Sequence, residues 1–97
     1  MVKFARETFI RNVKNIGEKV AISGVVILVE NEVFLIDDGT GQAKIVFSNL
    51  EIPLGNYIRV FGTIIGLVSG VEIQGDLVQD LSKVDKVLHK RVKEFLE

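Results

Sequence analysis

The sequence contains no cysteine, which excludes disulfide bonds and metal sites built from thiolates. None of its apolar runs is long enough to span a membrane, because glutamate, asparagine, glycine or lysine interrupts each one. The N-terminal residues lack the apolar core of a secretion signal, so we expect a cytoplasmic protein. The formal net charge is −1, and the chain therefore lacks the overall basic excess of proteins that bind nucleic acid unaided.

Groups that enzymes use for catalysis are also scarce. The single histidine, His89, has no second metal ligand in view, and no serine has a histidine base that the pattern would bring near it. Asp37 and Asp38 lie beside a glycine turn, which favours a role in turn geometry over catalysis or cation binding. Segment 39–41 is not a phosphate-binding loop, since no lysine–serine pair and helix follow it. We expect no catalytic activity, no cofactor and no metal ion.

What is present favours one small, strand-rich domain. The chain has 97 residues, of which 47% are hydrophobic, with many valines and isoleucines. Two alternating apolar runs flank Asp38-Gly39, a dipeptide that accepts the positive φ angles of a tight turn, and they predict a hairpin over 33–47. We expect the side chains of Asp37 and Thr40 to bond to backbone amides of this turn.

Three further strands are predicted from alternation. The first covers 19–30, with Gly24 marking a sharp bend, and a tight turn at 30–31 leads into the hairpin. The fourth covers 56–67 and the fifth covers 71–78. One face of the first strand is predicted to carry Val20, Ile22, Val26 and Leu28, and one face of the fifth Val71, Ile73 and Leu77.

Helical spacing occurs near both ends of the chain. The apolar residues within 4–17 favour a short helix or an irregular lead-in, with a partly ordered tail as the alternative. Near the C-terminus, Ser82 is a candidate N-cap and Asp85 completes a variant of the capping box, so we predict a helix over 82–97. The first segment carries Phe9, Ile10, Val13 and Ile16; the second carries an apolar stripe of Leu81, Val84, Leu88, Val92 and Phe95, opposite Lys83, Lys86, Lys90 and Lys93.

Together these elements predict a single domain over 1–97, with a lead-in segment at 1–18, a barrel at 19–80 and a helix at 82–97. A bent first strand, a central hairpin, two more strands and a final helix match the five-stranded OB-fold, an all-β Greek-key barrel. An SH3-like barrel also has five short strands and is the alternative. The long first strand and the terminal helix favour the OB-fold.

Three segments carry a family resemblance: 20–26 (VAISGVV), 36–41 (IDDGTG) and 57–64 (YIRVFGTI). They resemble the OB-folds of replication protein A, most of all its middle and small subunits, and those of the related subunits of the telomeric CST complex. The resemblance extends over 19–97. It implies that the barrel binds single-stranded DNA in a groove across strands two and three, and that the last helix packs with partner helices in a hetero-oligomer. A prokaryotic member would be associated with the nucleoid.

In that groove the hairpin is expected to present Val33 and Leu35 from one strand and Lys44, Val46 and Ser48 from the other. Ser48 stands where DNA-binding members tend to carry a stacking aromatic, which contributes on the order of 1–3 kcal/mol per base. The apolar side chains on the same face favour a protein partner over a polyanion. The carboxylates that would repel phosphates are Glu30, Glu32, Glu72 and Asp76.

Two functions fit these residues. The first is a non-catalytic OB-fold subunit of a DNA replication or repair complex, which binds partner proteins and contacts single-stranded DNA weakly or only within the complex. An accessory subunit of a replicative DNA polymerase is a related form. The second function is an autonomous single-stranded nucleic-acid-binding protein.

The two functions use different sets of residues. The apolar stripe of the helix would alternatively pack on this chain's own barrel and not on a partner. The lysines of the helix would alternatively form a solvated face that binds no nucleic acid. Partner binding is assigned to Val33, Leu35, Leu81, Val84, Leu88, Val92 and Phe95. Nucleic-acid contact is assigned to Lys44, Val46, Ser48, Arg59, Lys83, Lys86, Lys90 and Lys93.

Overall fold

The computed structural model describes residues 6–47 and 54–81, together with Arg91 and Glu94. Within the described ranges, no helix has both the length and the apolar character needed to cross a bilayer. In chain order the elements are β1 (Arg6–Glu7), a 3₁₀-helix η1 (Ile10–Asn12), β2 (Lys19–Glu30), β3 (Val33–Asp37), β4 (Gln42–Val46), β5 (Tyr57–Gly66) and β6 (Val71–Asp80).

Five of these strands, β2 to β6, close into a barrel. β2, β3, β4, β6 and β5 are hydrogen bonded in that order, and β5 pairs back onto β2. Neighbouring strands of the barrel are antiparallel except β4 and β6, which run parallel. A closed five-stranded barrel with this strand order is an OB-fold, so the predicted β-architecture is confirmed.

β2 is long enough to belong to two sides of the barrel. Its first half pairs with β5 from Lys19 to Val25, and its second half pairs with β3 from Val25 to Glu30. Gly24 lies at the change of partner, where a Cβ atom would stand 2.9 Å from the carbonyl oxygen of Asp37. The glycine that was expected to mark a bend therefore lies where two backbones approach too closely for a side chain.

Inward-facing residues of the barrel strands form one apolar core. In the hairpin, Phe34 and Ile36 of β3 lie opposite Ile45 and Ala43 of β4, and all four are almost fully buried. Burying a phenylalanine or isoleucine side chain stabilises the fold by roughly 1.5–3 kcal/mol relative to leaving it in water. The other members of the core are Ile10, Val20, Ile22, Val26, Ile58, Val60, Ile64 and Ile73.

The turn between β3 and β4 is held by two aspartate carboxylates. The Gly39 amide donates to Oδ1 of Asp37 at 2.7 Å, and the Thr40 amide donates to Oδ1 of Asp38 at 2.8 Å. The Thr40 hydroxyl and the Gly41 amide donate to the same Asp38 oxygen, at 2.6 Å and 3.2 Å. Gly39 has the positive φ, 88°, that a tight turn requires. The predicted hairpin is confirmed, and both aspartates serve turn geometry.

Asp38 also ties the N-terminal segment to the hairpin. Its other carboxylate oxygen, Oδ2, accepts a hydrogen bond from the Ile10 amide at 2.8 Å, and Thr40 Oγ1 accepts one from the Arg11 amide at 3.2 Å. Asp38 is only 9% exposed, so its bonds form largely out of water. A buried donor that loses such a partner carries the full cost of its desolvation.

Segment 4–17 was predicted to form a short helix or an irregular lead-in. The described residues of this segment form the irregular lead-in, so the prediction of a helix is wrong for them. Only the three residues of η1 are helical, and β1 pairs in parallel with β2. Within the predicted apolar stripe, Phe9 and Ile10 are buried, but Ile16 is 63% exposed. The reason is that β2 and the Asp38 carboxylate bind backbone amides that a helix would have satisfied internally.

Two β-bulges reverse the predicted direction of two leucines. The register of β2 against β3 shifts between Val26 and Leu28, so Leu28 lies opposite Leu35 and faces outward. A second shift in the β5–β6 pairing places Leu77 opposite Phe61 and turns it outward as well. Leu28 is 43% exposed and Leu77 is 58% exposed, so the prediction that each shares a face with the core residues of its strand is wrong.

The predicted C-terminal helix lies almost wholly outside the described residues. Arg91 and Glu94 are helical, and no other residue of 82–97 is described. The last described barrel contact is the Leu81 amide, which donates to the Tyr57 carbonyl oxygen at 2.9 Å. The helix over 82–97 therefore stays a prediction.

Candidate functional site

One outer face of the barrel combines apolar and acidic side chains. It is formed by the second half of β2, by β3 and β4, and by the start of β6. Residues that lie directly opposite each other on neighbouring strands share a face, so the pairings define two rows across these strands. The rows are Leu28–Leu35–Lys44–Glu72 and Glu30–Val33–Val46–Gln74.

Leu28, Val33, Leu35 and Val46 form what we name the outer apolar patch. Leu28 is 43% exposed, and the other three are partly exposed. The predicted outward direction of Val33, Leu35 and Val46 is confirmed, while their binding roles stay predictions. Leu28 enlarges the patch because of the bulge in β2. Contiguous apolar surface of this kind is typical of a contact site.

Carboxylates lie on two sides of the outer apolar patch. On the far side of Lys44, Glu72 follows in the cross-strand row, and its side chain would contact a Cβ placed on Gly66. Within the described ranges Lys44 has no ion pair and is the single cation of this face. A phosphate group here would therefore meet net negative charge. An open depression at the β2–β3 turn is lined by Glu30, Asn31, Glu32, Val33 and Lys44.

The two loops beside this face are short. Two residues, Asn31 and Glu32, connect β2 to β3, and the four residues 67–70 connect β5 to β6. Asn31 has a φ of 50° and Gly70 a φ of 95°, as tight turns require. OB-folds that bind oligonucleotides use these two loops together with the strand face. Loops of this length offer little surface that could enclose a nucleic-acid strand.

Arg59 lies on a different part of the barrel from Lys44. It is opposite Gln79 of β6, whereas Lys44 is opposite Glu72 of the same strand. That seven-residue interval corresponds to about 23 Å along β6 at about 3.3 Å per residue. Arg59 Nη1 donates to Gln79 Oε1 at 3.0 Å, and Nε lies 3.6 Å from Oε1 of Glu7. The structure does not bring the predicted nucleic-acid contacts Lys44 and Arg59 into one groove.

Tyr57 lies near Arg59 in a polar cluster that sequence reasoning did not identify. Ser23 of β2 lies opposite Arg59, and its hydroxyl donates to Oε1 of Glu7 at 3.3 Å. Burial raises the pKa of the Tyr57 phenol above its ordinary value of 10.0, and the Glu7 carboxylate raises that pKa further. The phenol is therefore neutral throughout the physiological pH range. The cluster links β1, β2, β5 and β6, and this is a structural role.

The remaining predicted contact residues fall into two groups. Leu81 is 5% exposed and its amide is bonded to the barrel, so its side chain lies in this chain's own fold and offers almost no surface to a partner. Its predicted place in a partner seam is therefore corrected. The others lie outside the described residues, and their roles stay predictions: Ser48, Lys83, Val84, Lys86, Leu88, Lys90, Val92, Lys93 and Phe95.

The described part of the chain contains no cluster of three or more acidic or histidine side chains suited to a metal ion. The adjacent carboxylates of Asp37 and Asp38 instead accept hydrogen bonds from the turn. Their oxygens are thus directed at backbone amides of this chain.

Solved structures resemble this barrel, whereas the comparisons by sequence found no match. No protein-family profile matches the sequence, and no curated protein sequence is significantly similar to it. A chain of the S. pombe Stn1–Ten1 complex has a TM-score of 0.74 at 16% identity, over 93% of this chain and 89% of that chain. Telomere capping protein Ten1 from Saccharomyces pombe has a TM-score of 0.73 at 17% identity, over 92% and 93%. Replication protein A from U. maydis, bound to ssDNA, has a TM-score of 0.68 at 20% identity, over 82% and 76%.

These similarities agree with the resemblance found in segments 20–26, 36–41 and 57–64. At identities of 16–20% they establish a shared fold. The strand order, the bent β2 and the β3–β4 hairpin, taken with these superpositions, show that the chain has an OB-fold of the kind found in Ten1 and in replication protein A.

Proposed function

We propose that this chain is a non-catalytic OB-fold subunit of a complex that maintains DNA, and that it binds a partner protein through the outer apolar patch. Its structural relatives support this proposal, since they include a Stn1–Ten1 complex and a replication protein A bound to ssDNA. This chain contacts DNA weakly, or only within the assembled complex. The helix predicted over 82–97 supplies a second contact with partner subunits.

The observation that carries the proposal is the composition of the outer face. OB-folds bind oligonucleotides on this face, where stacking needs aromatic rings and phosphates need cations. Among the described residues, the face has no aromatic ring and one cation, Lys44, against the carboxylates of Glu30, Glu32 and Glu72. Its aliphatic side chains gain about 25 cal/mol for each Å² that a partner removes from water. A protein satisfies this surface better than DNA does.

The alternative, an autonomous single-stranded nucleic-acid-binding protein, is favoured by the exposure of Lys44. A site that neutralises one phosphate gives a slope of only about −0.7 for log K against log salt concentration on a single strand. A much steeper slope would require further cations. The lysines predicted on the helix over 82–97 are the candidates for that role.

Fluorescence anisotropy of a labelled oligothymidylate, titrated with the isolated chain, distinguishes the two functions. We expect a dissociation constant no lower than about 1 μM near physiological salt, because non-specific binding to nucleic acid falls in that range. The matched variants are Lys44→Ala on the outer face and Lys19→Ala, an exposed lysine of β2 paired with Asp76 at 3.7 Å. Tighter binding that Lys44→Ala weakens and Lys19→Ala does not would overturn the proposal.

A further inference from the structure

The acidic border of the outer apolar patch indicates the chemistry of the partner, an inference that rests on the proposed function. We propose that the patch docks an amphipathic helix of the partner, one whose apolar stripe is flanked by lysines or arginines. The proposal follows from three properties of the face: its strand pairing, its dimensions and its charge.

The pairing of the strands leaves a partner only side chains to bind. β3 is paired with β2 and β4, and β4 is paired with β3 and β6, so neither strand has a free edge for strand addition. Proline-rich segments dock in grooves lined by aromatic rings, and the described residues of this face include none. Of the common recognition modes for a peptide segment, an amphipathic helix laid on the patch is the one that this face accommodates.

The dimensions of the patch match a helix. Neighbouring strands lie about 4.8 Å apart, so β2 and β4 are separated by about 10 Å. Helix residues i and i+7 are also about 10 Å apart, at a rise of about 1.5 Å per residue. A helix that crosses the strands can place residue i over Leu28 and residue i+7 over Val46. Residues i+3 and i+4 then lie over Leu35 and Val33.

Charge decides between a basic and an acidic helix. Glu30 and Glu32 lie at the β2–β3 turn, and Glu72 lies on β6 beyond Lys44. Glu30 and Glu72 thus stand on opposite sides of the patch, about 16 Å apart across three strand spacings and an offset of two residues along the strands. An acidic helix would bring like charges together on both sides, whereas a basic helix pairs with the carboxylates at both ends. Lys44 opposes a basic helix at one position only.

Two synthetic peptides test the proposal. Both carry leucines at i, i+3, i+4 and i+7, blocked termini and a fluorescein label; the charged positions are all lysine in one and all glutamate in the other. At about 0.1 M salt we expect the full chain to bind the lysine peptide at least about tenfold more tightly, with a smaller ratio at higher salt. Amide resonances of the patch residues should shift in NMR spectra on addition of the lysine peptide.

Matched variants locate the binding site. Glu30→Lys should weaken lysine-peptide binding by about five- to tenfold. Asp80→Lys makes the same charge change opposite Ile58 of β5, about 26 Å along β6 from Glu72 and well beyond the screening length of about 10 Å, and should change binding less than about twofold. Leu28→Ala should weaken binding of the lysine peptide by about tenfold. Leu77→Ala should not, because this leucine is also exposed but lies outside the patch.

Several results would overturn the proposal that the patch docks a basic helix. They are equal affinity for the two peptides, a preference for the glutamate peptide, absence of binding, and resonance shifts away from the patch. An equal effect of Leu28→Ala and Leu77→Ala does the same. The proposed function fails on a different result, which is tight oligothymidylate binding that depends on Lys44.

Discussion

Replacing Asp38 by asparagine is expected to destabilise the fold far more than the same replacement at the neighbouring Asp37. Oδ1 of Asp38 accepts bonds from the Thr40 amide, the Thr40 hydroxyl and the Gly41 amide, and Oδ2 accepts one from the Ile10 amide. Asparagine keeps one acceptor oxygen but places an NH₂ donor where the second carboxylate oxygen accepted a bond. Either the Ile10 amide or the turn amides then lose their acceptor.

The magnitude follows from the number and burial of these bonds. A buried donor left without a partner costs about 1–3 kcal/mol, and bonds to a charged acceptor are the stronger ones. We therefore expect Asp38→Asn to lower the free energy of unfolding by about 2–4 kcal/mol, or the melting temperature by roughly 10–25 °C for a domain of this size. Asp37→Asn keeps an oxygen for the Gly39 amide in an exposed turn, so its cost should stay below about 1 kcal/mol.

Urea unfolding of the full chain, followed by far-ultraviolet circular dichroism, measures both variants. The slope of free energy against urea should be unchanged, because the surface exposed on unfolding is the same. Hydrogen exchange of the Ile10 amide should accelerate in Asp38→Asn and not in Asp37→Asn. Similar losses of stability in the two variants would refute the conclusion that Asp38 ties the N-terminal segment to the hairpin.

Two further predictions concern stability. Gly62→Ala should cost more than about 3 kcal/mol, because its Cβ would overlap the Gln74 carbonyl oxygen and lie 2.7 Å from Cγ2 of Ile73. Gly70 has open space around its Cα and a positive φ, so Gly70→Ala should cost only about 1–2 kcal/mol. Equal losses of stability for Gly62→Ala and Gly70→Ala in thermal unfolding would contradict the overlap at Gly62. Because the folded-state pKa of Tyr57 is raised, its contribution to stability is fully present below pH 10.0 and is lost as pH rises through the folded-state pKa. Ultraviolet titration of this single tyrosine should therefore show an ionisation midpoint above pH 10.0. A midpoint at or below pH 10.0 would contradict the burial of the phenol. Tyr57→Phe should remove the loss of stability that this ionisation causes at alkaline pH.

The polar residues of β4 and the Asp38-Gly39 turn made the central hairpin predictable from the sequence. In β4, Gln42 and Lys44 alternate with Ala43 and Ile45, and Asp38-Gly39 fixes the position of the turn and thereby the register of β3. A period of two then determines that Phe34 and Ile45 point inward and that Leu35 points outward. The outward direction of most of the outer apolar patch followed from the same rule.

The other features depend on information that a local pattern does not contain. Residues 25–29 are all valine, isoleucine or leucine, so alternation cannot locate an extra residue there, and Leu28 was predicted on the wrong face. The bond from Ile10 to Asp38 joins residues 28 positions apart, and it replaces the helix that the apolar spacing predicted. Arg59 was predicted to contact nucleic acid because it is a basic residue on the outer face of its strand. Its partners Glu7 and Gln79 lie on strands remote in sequence, so the local pattern could not reveal them.

Quantitative affinity purification from a nuclease-treated extract of the source cells tests most directly whether the outer apolar patch binds a protein. The baits are the wild-type chain and the variants Leu28→Glu and Leu77→Glu, since both leucines are exposed on strands and only Leu28 belongs to the patch. We predict that a protein partner remains bound to the wild-type chain and to Leu77→Glu, and is lost with Leu28→Glu. Retention of the partner by Leu28→Glu, or its loss from the wild-type chain on nuclease digestion, would contradict the assignment of this face to a protein.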